Sequence, residues 1–327
     1  MIRSVTPFRR SVRCVVQIVA AMSFALTAPA HAADWGVRPE WVKAHEDFLA
    51  SAPLQGRGSA TRDEAIAAAY VASQFEAYGL ARAPGMSSYT QTARVPRPPT
   101  NDVVETTNAI GYLPGTDPSA GVLLISAHLD HLGIVNGTLM PGANDDASGT
   151  TAVLELAHAF ASGERLRRGI LFVCYGSEEL GGLGSRYFGA HPPIPLSSIV
   201  ANLELEMIGA QDPKLPAGYL MMTGFDRSDF GEILRKNGGL VTGDPYPEQH
   251  FFQRSDNYSL ALHGIVAHTV SGWATTPTYH RPTDTIGNLD ISFMTRAIQS
   301  LIAPLRLIAS GSETPHWKPG GDPREAN

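Results

Sequence analysis

Seven side chains of the types that hold a divalent cation stand out in this sequence by their placement: His128, Asp130, Asp145, Glu178, Glu179, Glu206 and His280. Imidazole nitrogen and carboxylate oxygen suit a hard-to-borderline dication, provided they are carried on rigid scaffolding. Their positions along the chain share one feature, which is that nearly all follow a stretch that reads as a core strand. The apolar, β-branched run 122–125 stops at His128, Leu129, Asp130. The run 170–175 ends in Gly176, Ser177, Glu178, Glu179, and 199–207 alternates so that Glu204 and Glu206 share one face and its C-terminal end. The strand-like 265–270 leads through a turn to Tyr279 and His280, while Asp145 and Asp146 occupy a Gly/Asn/Asp turn, 142–149, ahead of a helical pattern. Open α/β sheets gather their ligands at the carboxyl ends of strands. Each piece alone has a plainer reading: an Asp-rich turn before a helix is usually capping chemistry, and an isolated Glu178, Glu179 pair is a solvated turn at about two to one, since charged side chains are mostly exposed. It is the recurrence at strand ends that points to a metal site.

Those ends need a sheet behind them. From 122 onward strands and helices alternate, the pattern of a central sheet covered by helices on both faces, so the expected class is α/β with a mixed, mostly parallel sheet. Helical spacing over 38–51 (Trp41, Val42, His45, Phe48, Leu49) precedes a Gly/Arg turn. The capping box Thr61, Arg62, Asp63, Glu64 then opens a second helix that Gly79 closes. Residues 84–107 read as loop and edge structure, and 291–310 as the last strong helix. Residues 33–310 make one domain; the tail 311–327 is expected to be disordered.

With 327 residues, 43% of them hydrophobic and 17% charged, the chain is long enough for one generous globular domain. Arg3, Arg9, Arg10 and Arg13 precede an apolar run that ends at an Ala30, His31, Ala32 site, a signal peptide over 1–32 with cleavage expected after Ala32. Removing its four arginines takes the formal charge from −6 to −10, which argues against nucleic-acid binding. No segment is long enough to span a membrane. Cys14 departs with the signal, leaving Cys174 unpaired in an apolar run, so no disulfide is expected. H-E-x-x-H and G-x-S-x-G are both absent, against helix-borne zinc proteases and serine hydrolases.

The segments AHLDH (127–131), PGANDDASG (141–149), SEELGGLGS (177–185), NLELEMIG (202–209), RSDNY (254–258) and TYHRPTDT (278–285) resemble, in order, the motifs of the M28 family of zinc peptidases. That family includes secreted bacterial aminopeptidases, glutamate carboxypeptidase II, the transferrin receptor and the glutaminyl cyclases. The resemblance spans about residues 50–310. It implies two zinc ions: His128 and Glu206 on one, Glu179 and His280 on the other, Asp145 bridging both. A shared carboxylate reduces the repulsion between two cations about 3.5–4 Å apart, and three protein ligands per zinc leave room for water or substrate. It implies further that Glu178 is the general base, that Tyr279 steadies the oxyanion, and that Asp130 accepts the second ring N–H of His128. Asp256 and Asp284 are candidate supports for the ligands, and Asp145–Asp146 a candidate cis peptide. Glu206 departs from the Asp common in the family, and its extra methylene changes its reach.

The expected activity is therefore an exported, periplasmic or secreted di-zinc aminopeptidase acting on peptides with a free N-terminus. The alternatives are a single-zinc glutaminyl cyclase on the same scaffold, a carboxypeptidase-like relative, or a binding protein that kept the fold and lost the chemistry. Tyr246, Phe251, Phe252 and Trp273 are candidates for a side-chain pocket. His45, His131, His158, His191, His250, His263 and His268 read as structural or surface residues.

Overall fold

In the computed structural model, which describes residues 1–2 and 36–326, the apolar runs pair side by side in one sheet. Its strands are β1 (Thr90–Arg97), β2 (Asp102–Leu113), β3 (Val122–His128), β6 (Gly169–Tyr175), β7 (Ile199–Leu205), β8 (Leu220–Met222), β9 (Val241–Gly243) and β10 (Ala267–Ser271). A separate ribbon pairs β4 (Gly133–Val135) with β5 (Thr138–Met140). The order is β1-β2-β6-β3-β7-β10-β8-β9. The centre β6-β3-β7-β10 is parallel, β1, β2 and β8 join antiparallel, and β9 runs parallel to β8. The sheet is thus mixed, as expected.

Parallel strands need cover on both faces, which is why β3 and β6 are buried at every position and carry unbroken apolar runs. Leu123, Ile125, Ile170 and Phe172 face the larger core, with the helices α1 (Pro39–Leu49), α2 (Arg62–Ala77), α3 (Ser148–Ala161), α5 (Phe230–Lys236) and α7 (Ile291–Ser310). Val122, Leu124, Leu171 and Val173 face the opposite core, with Phe188 of α4 (Leu183–Ala190) and Leu260 of α6 (Asn257–Ala261). Because the four central strands run in one direction, their carboxyl ends lie along one edge of the sheet. His128, Glu178, Glu179 and Glu206 leave from that edge.

Helix α2 starts at Thr61, whose hydroxyl accepts from the Asp63 amide at 3.1 Å. The Glu64 carboxylate does not reach back to Thr61. It accepts instead from the amides of Ala60 and Thr107 and from the Ser177 hydroxyl, tying the helix entrance to β2 and to the loop that carries Glu178.

Arg57 is fully buried in the turn before α2. Its guanidinium donates to four carbonyls, those of Leu49, Leu129, Pro141 and Gly142, at 2.6 to 3.0 Å. These join α1, the end of β3 and the entrance to the Asp145 turn. Replacing Arg57 with Met leaves the carbonyls of Leu49, Leu129 and Pro141 without that donor, while Gly142 O keeps the Ala147 amide at 3.2 Å, and we expect unfolding free energy to fall by about 3–5 kcal/mol. Urea denaturation would register this, and a midpoint equal to the parent's would contradict it.

Two expectations need correction or placement. The tail after Gly311 is not disordered: Arg168 donates to Glu313 O and Thr314 Oγ1, Trp317 Nε1 donates to Gly264 O at 3.1 Å, and Lys318 N donates to Arg227 O. A short polar stretch can be held by partners far away in sequence, and here one buried arginine and one indole hold it. The signal peptide and its cleavage site lie outside the described residues. Among the described residues, no helix is long and apolar enough to cross a membrane.

Candidate metal centre

The candidate ligands converge. His128 Nε2 lies 3.4 Å from Asp145 Oδ1, and Asp145 Oδ2 lies 3.2 Å from His280 Nε2 and 3.7 Å from His131 Nδ1. Glu179 Oε1 is 3.1 Å from His280 Nε2 and 3.0 Å from His131 Nδ1. Two donor groups result, with Asp145 in both: His128, Asp145, Glu206, and His131, Asp145, Glu179, His280. The sequence brought every member but one; His131 was read as structural or surface.

Several of these atoms are buried and make no hydrogen bond: His128 Nε2, both ring nitrogens of His131, Asp145 Oδ2, Glu179 Oε1 and His280 Nε2. They approach one another closely yet without hydrogen-bond alignment, as atoms do when each aims at a common third partner. Leaving such groups unsatisfied would cost about 1–3 kcal/mol apiece, so the residues present fit a metal pair. The spacing fits as well. Ligands at about 2.0–2.1 Å from a tetrahedral ion lie about 3.3 Å from one another.

The electrostatics point the same way. Burial works against charge throughout, but Asp145 and Glu179 draw the His280 imidazole up to about 10, and His128 is raised well above its ordinary value by Asp130 and Asp145. Burial presses upward on both Asp145 and Glu179, and Asp145 presses upward on Glu179 as well, yet the facing histidines hold both below the usual carboxylate range. This is a site that demands positive charge, and a cation entering it displaces protons.

Neighbouring side chains fix the donors. Asp284 accepts the amides of Asn144 and Asp145 at 2.9 and 3.1 Å, which orients the carboxylate that the two donor groups share. The Asp145–Asp146 peptide is cis, the geometry the resemblance implied. Three side chains of this turn grip three successive amides: Met207 N donates to Asp146 Oδ1, Ile208 N to Ser148 Oγ, and Gly209 N to Asn144 Oδ1, at 2.7 to 2.9 Å. Glu206 is thereby set relative to Asp145. Gly149 permits the approach, since a Cβ there would stand 2.1 Å from the Leu205 carbonyl. Ser177, Met207 and His280, each beside or among the donors, hold φ of 53°, where residues other than glycine are strained.

Asp130 has a different role from the one expected. The His128 ring Nδ1 lies 3.2 Å from the Asp130 backbone carbonyl, but 3.7 Å from its carboxylate. The carboxylate is taken up by the amides of Glu178 and Glu179, at 2.9 and 3.3 Å, and by the Ser59 hydroxyl. Asp130 therefore orients His128 with its main chain and the Glu178, Glu179 turn with its side chain. Asp256 accepts from the Ser185 hydroxyl, and burial pushes its carboxyl up to about 7.

Glu178 belongs to neither donor group. Burial holds its carboxyl well above the ordinary value, with Asp256, Glu206 and Glu179 adding repulsion that His128 only partly offsets. Tyr279 stacks on the His280 ring with centroids 3.8 Å apart, and burial and the surrounding acids raise its phenol further. A pocket opens beside it, walled by Glu206, Met207, Met221, Phe251, Arg254 and Tyr279. Of the four aromatics proposed for a pocket, only Phe251 lines it. Phe252 faces the core under Trp317, Tyr246 bonds its hydroxyl to Asp212, and Trp273 lies outside the lining.

The molecule is similar to solved structures of low sequence identity that share its fold: a zinc aminopeptidase from Bacillus subtilis (TM-score 0.66, 16% identity, 85% of this chain and 97% of that one) and a Zn-dependent exopeptidase from Parabacteroides distasonis (TM-score 0.64, 15% identity, 85% and 99%). In sequence it is 27% identical over 322 residues to leupeptin-inactivating enzyme 1 of Streptomyces exfoliatus, covering 90% of this chain and 68% of that protein. It is 33% identical over 182 residues to aminopeptidase YwaD of Bacillus subtilis, covering 51% of this chain and 37% of that protein. The model of Peptidase family M28 matches residues 108–304, the stretch that supplies every donor of the two groups above, and the chain belongs to that family.

Proposed function

We propose that this protein is an exported aminopeptidase that holds two zinc ions and removes N-terminal residues from peptides. The observation that carries this is the bridging carboxylate: one oxygen of Asp145 faces His128 at 3.4 Å and the other faces His280 at 3.2 Å. Two donor groups sharing one acid favour a pair of ions over the single zinc of a glutaminyl cyclase. Three of the four similar proteins described above are named as aminopeptidases or exopeptidases, which agrees with that reading. The arginine-rich, apolar N-terminus supports export.

His128, Glu206, Asp145, Glu179 and His280 would hold the metals, which when bound polarise the scissile carbonyl and make water acidic. Glu178 takes the proton from the attacking water and returns it to the leaving amine, a task suited to a carboxylate made more basic by burial. The Tyr279 phenol donates to the oxygen that becomes negative in the tetrahedral state. Glu178 and Glu206 also face the site with negative charge that pairs with a free α-ammonium, so a substrate blocked at its N-terminus loses that contact. The pocket, walled by Met207, Met221 and Phe251 and also by Glu206, Thr223, Arg254 and Thr269, receives the substrate's first side chain.

Elemental analysis of purified mature protein, coupled to a panel of free and N-acetylated aminoacyl amides, tests this. We expect two zinc ions per chain and at least about a hundredfold preference for free over acetylated substrates, the scale on which a lost charge-assisted hydrogen bond acts. Pyroglutamate formation with one zinc would establish the cyclase reading instead. Equal cleavage of blocked and free substrates would refute the aminopeptidase assignment.

A further inference from the structure

The group around His280 has one donor more than the group around His128. His131 follows His128 by three residues and lies past the end of β3, fully buried, with neither ring nitrogen hydrogen-bonded. Its Nδ1 stands 3.0 Å from Glu179 Oε1 and 3.7 Å from Asp145 Oδ2, while its ring meets that of His280 edge to face, centroids 5.6 Å apart. With His280 Nε2 at 3.1 and 3.2 Å from the same two oxygens, four of the distances among these donors lie between 3.0 and 3.7 Å. These values bracket the edge of about 3.3 Å expected for a tetrahedron of ligands about an ion bound at 2.0–2.1 Å.

A structural histidine in such a place would spend its ring nitrogens on backbone or carboxylate hydrogen bonds, as His268 does with Thr223 O and Ser228 Oγ, both at 2.8 Å. His131 does not. We infer that His131 is a fourth protein ligand, through Nδ1, to the metal position formed by Asp145, Glu179 and His280, so that the two positions are unequal.

One position is then enclosed by four protein donors, and the other, with His128, Asp145 and Glu206, keeps a coordination place for water or substrate. Structural metal sites are closed and catalytic ones keep an opening. The four-donor position fills first and releases its ion last. This inference rests on the metal-binding reading of the same site, and the experiment separates the two. Protein stripped with a chelator is titrated with cobalt(II), following visible absorption and bound metal by elemental analysis, for the parent, His131→Gln and His131→Cys.

The parent is expected to bind two ions with distinct affinities. In His131→Gln the tighter affinity is expected to fall by more than the roughly 10–100-fold that follows the loss of a ligand's hydrogen-bonding partner. Nδ1 lies closer to the backbone than Nε2, so a thiolate at this position reaches the same point. His131→Cys is therefore expected to add a sulfur-to-cobalt charge-transfer band. X-ray absorption of the unmutated zinc protein needs no variant to fold, and is expected to count three imidazoles shared by two ions. Unchanged affinities in His131→Gln, no charge-transfer band in a folded His131→Cys, or two imidazoles in the unmutated protein would each overturn the assignment. A parent that takes up no ion would overturn the metal reading, and His131's role with it.

Discussion

Changing Asp145 to Asn is expected to weaken both metal positions together, by more than about a hundredfold each, whereas changing His280 or Glu206 should weaken chiefly the one it serves. Asp145 is the one side chain common to the two donor groups, and its two oxygens point apart, toward His128 and toward His280. The amide keeps the shape of the turn and its amide contacts to Asp284, so the fold should survive. It removes the negative charge that lowers the repulsion between two dications about 3.5–4 Å apart. Bound zinc after dialysis, measured against the parent, reads the effect directly, with turnover lost in parallel. A protein that still carried one ion at parental affinity would show that the two groups do not share a bridge.

Glu178→Gln is expected to lower kcat by about 10²–10⁴-fold while leaving zinc content at the parent's level, the range over which a positioned acid–base group acts. Two observations separate it from Glu179, its neighbour in sequence. Glu178 lies in neither donor group, and burial and like charges make its carboxyl more basic, whereas the imidazoles facing Glu179 make that one more acidic. Adjacent residues in this turn take different directions, with both amides anchored on Asp130. Single-turnover rates and elemental analysis on one preparation of Glu178→Gln would decide it. Loss of metal along with activity would reassign Glu178 as a ligand or ligand support, and parental kcat would remove it from the chemistry.

Much of this centre was legible in the sequence, for a physical reason. Strands buried on both faces are mostly apolar, so the polar residues that end 122–128 and follow 169–175 mark the sheet edge on their own, while in 199–205 the alternation with Asn202 and Glu204 leads to Glu206. What stayed hidden depended on direction. His131 sits three residues beyond His128, and nothing in the letters tells whether a side chain past a strand end turns inward or to solvent. A second histidine so soon after the first is the signal that was there to be used. Asp130 was recognised as a support, but the sequence does not distinguish a carboxylate from the same residue's own carbonyl as the partner of His128. The ordered tail was missed because its anchors, Arg168 and Trp317, find partners set by the folded chain, as was the pocket wall, where Met207 and Met221 stand in place of the expected aromatics.

The grip of Asn144, Asp146 and Ser148 on the amides of 207–209 has an evolutionary corollary. Side chains of one segment meet main chain of the other, so these three bonds dictate residue types at 144–148 alone; 207–209 is held by other means, the left-handed backbone of Met207, the full burial of Ile208 and the lack of room for a Cβ at Gly209. Divergence of this centre should therefore be limited in two ways: by hydrogen-bonding side chains around Asp145, and by backbone shape and room just beyond Glu206.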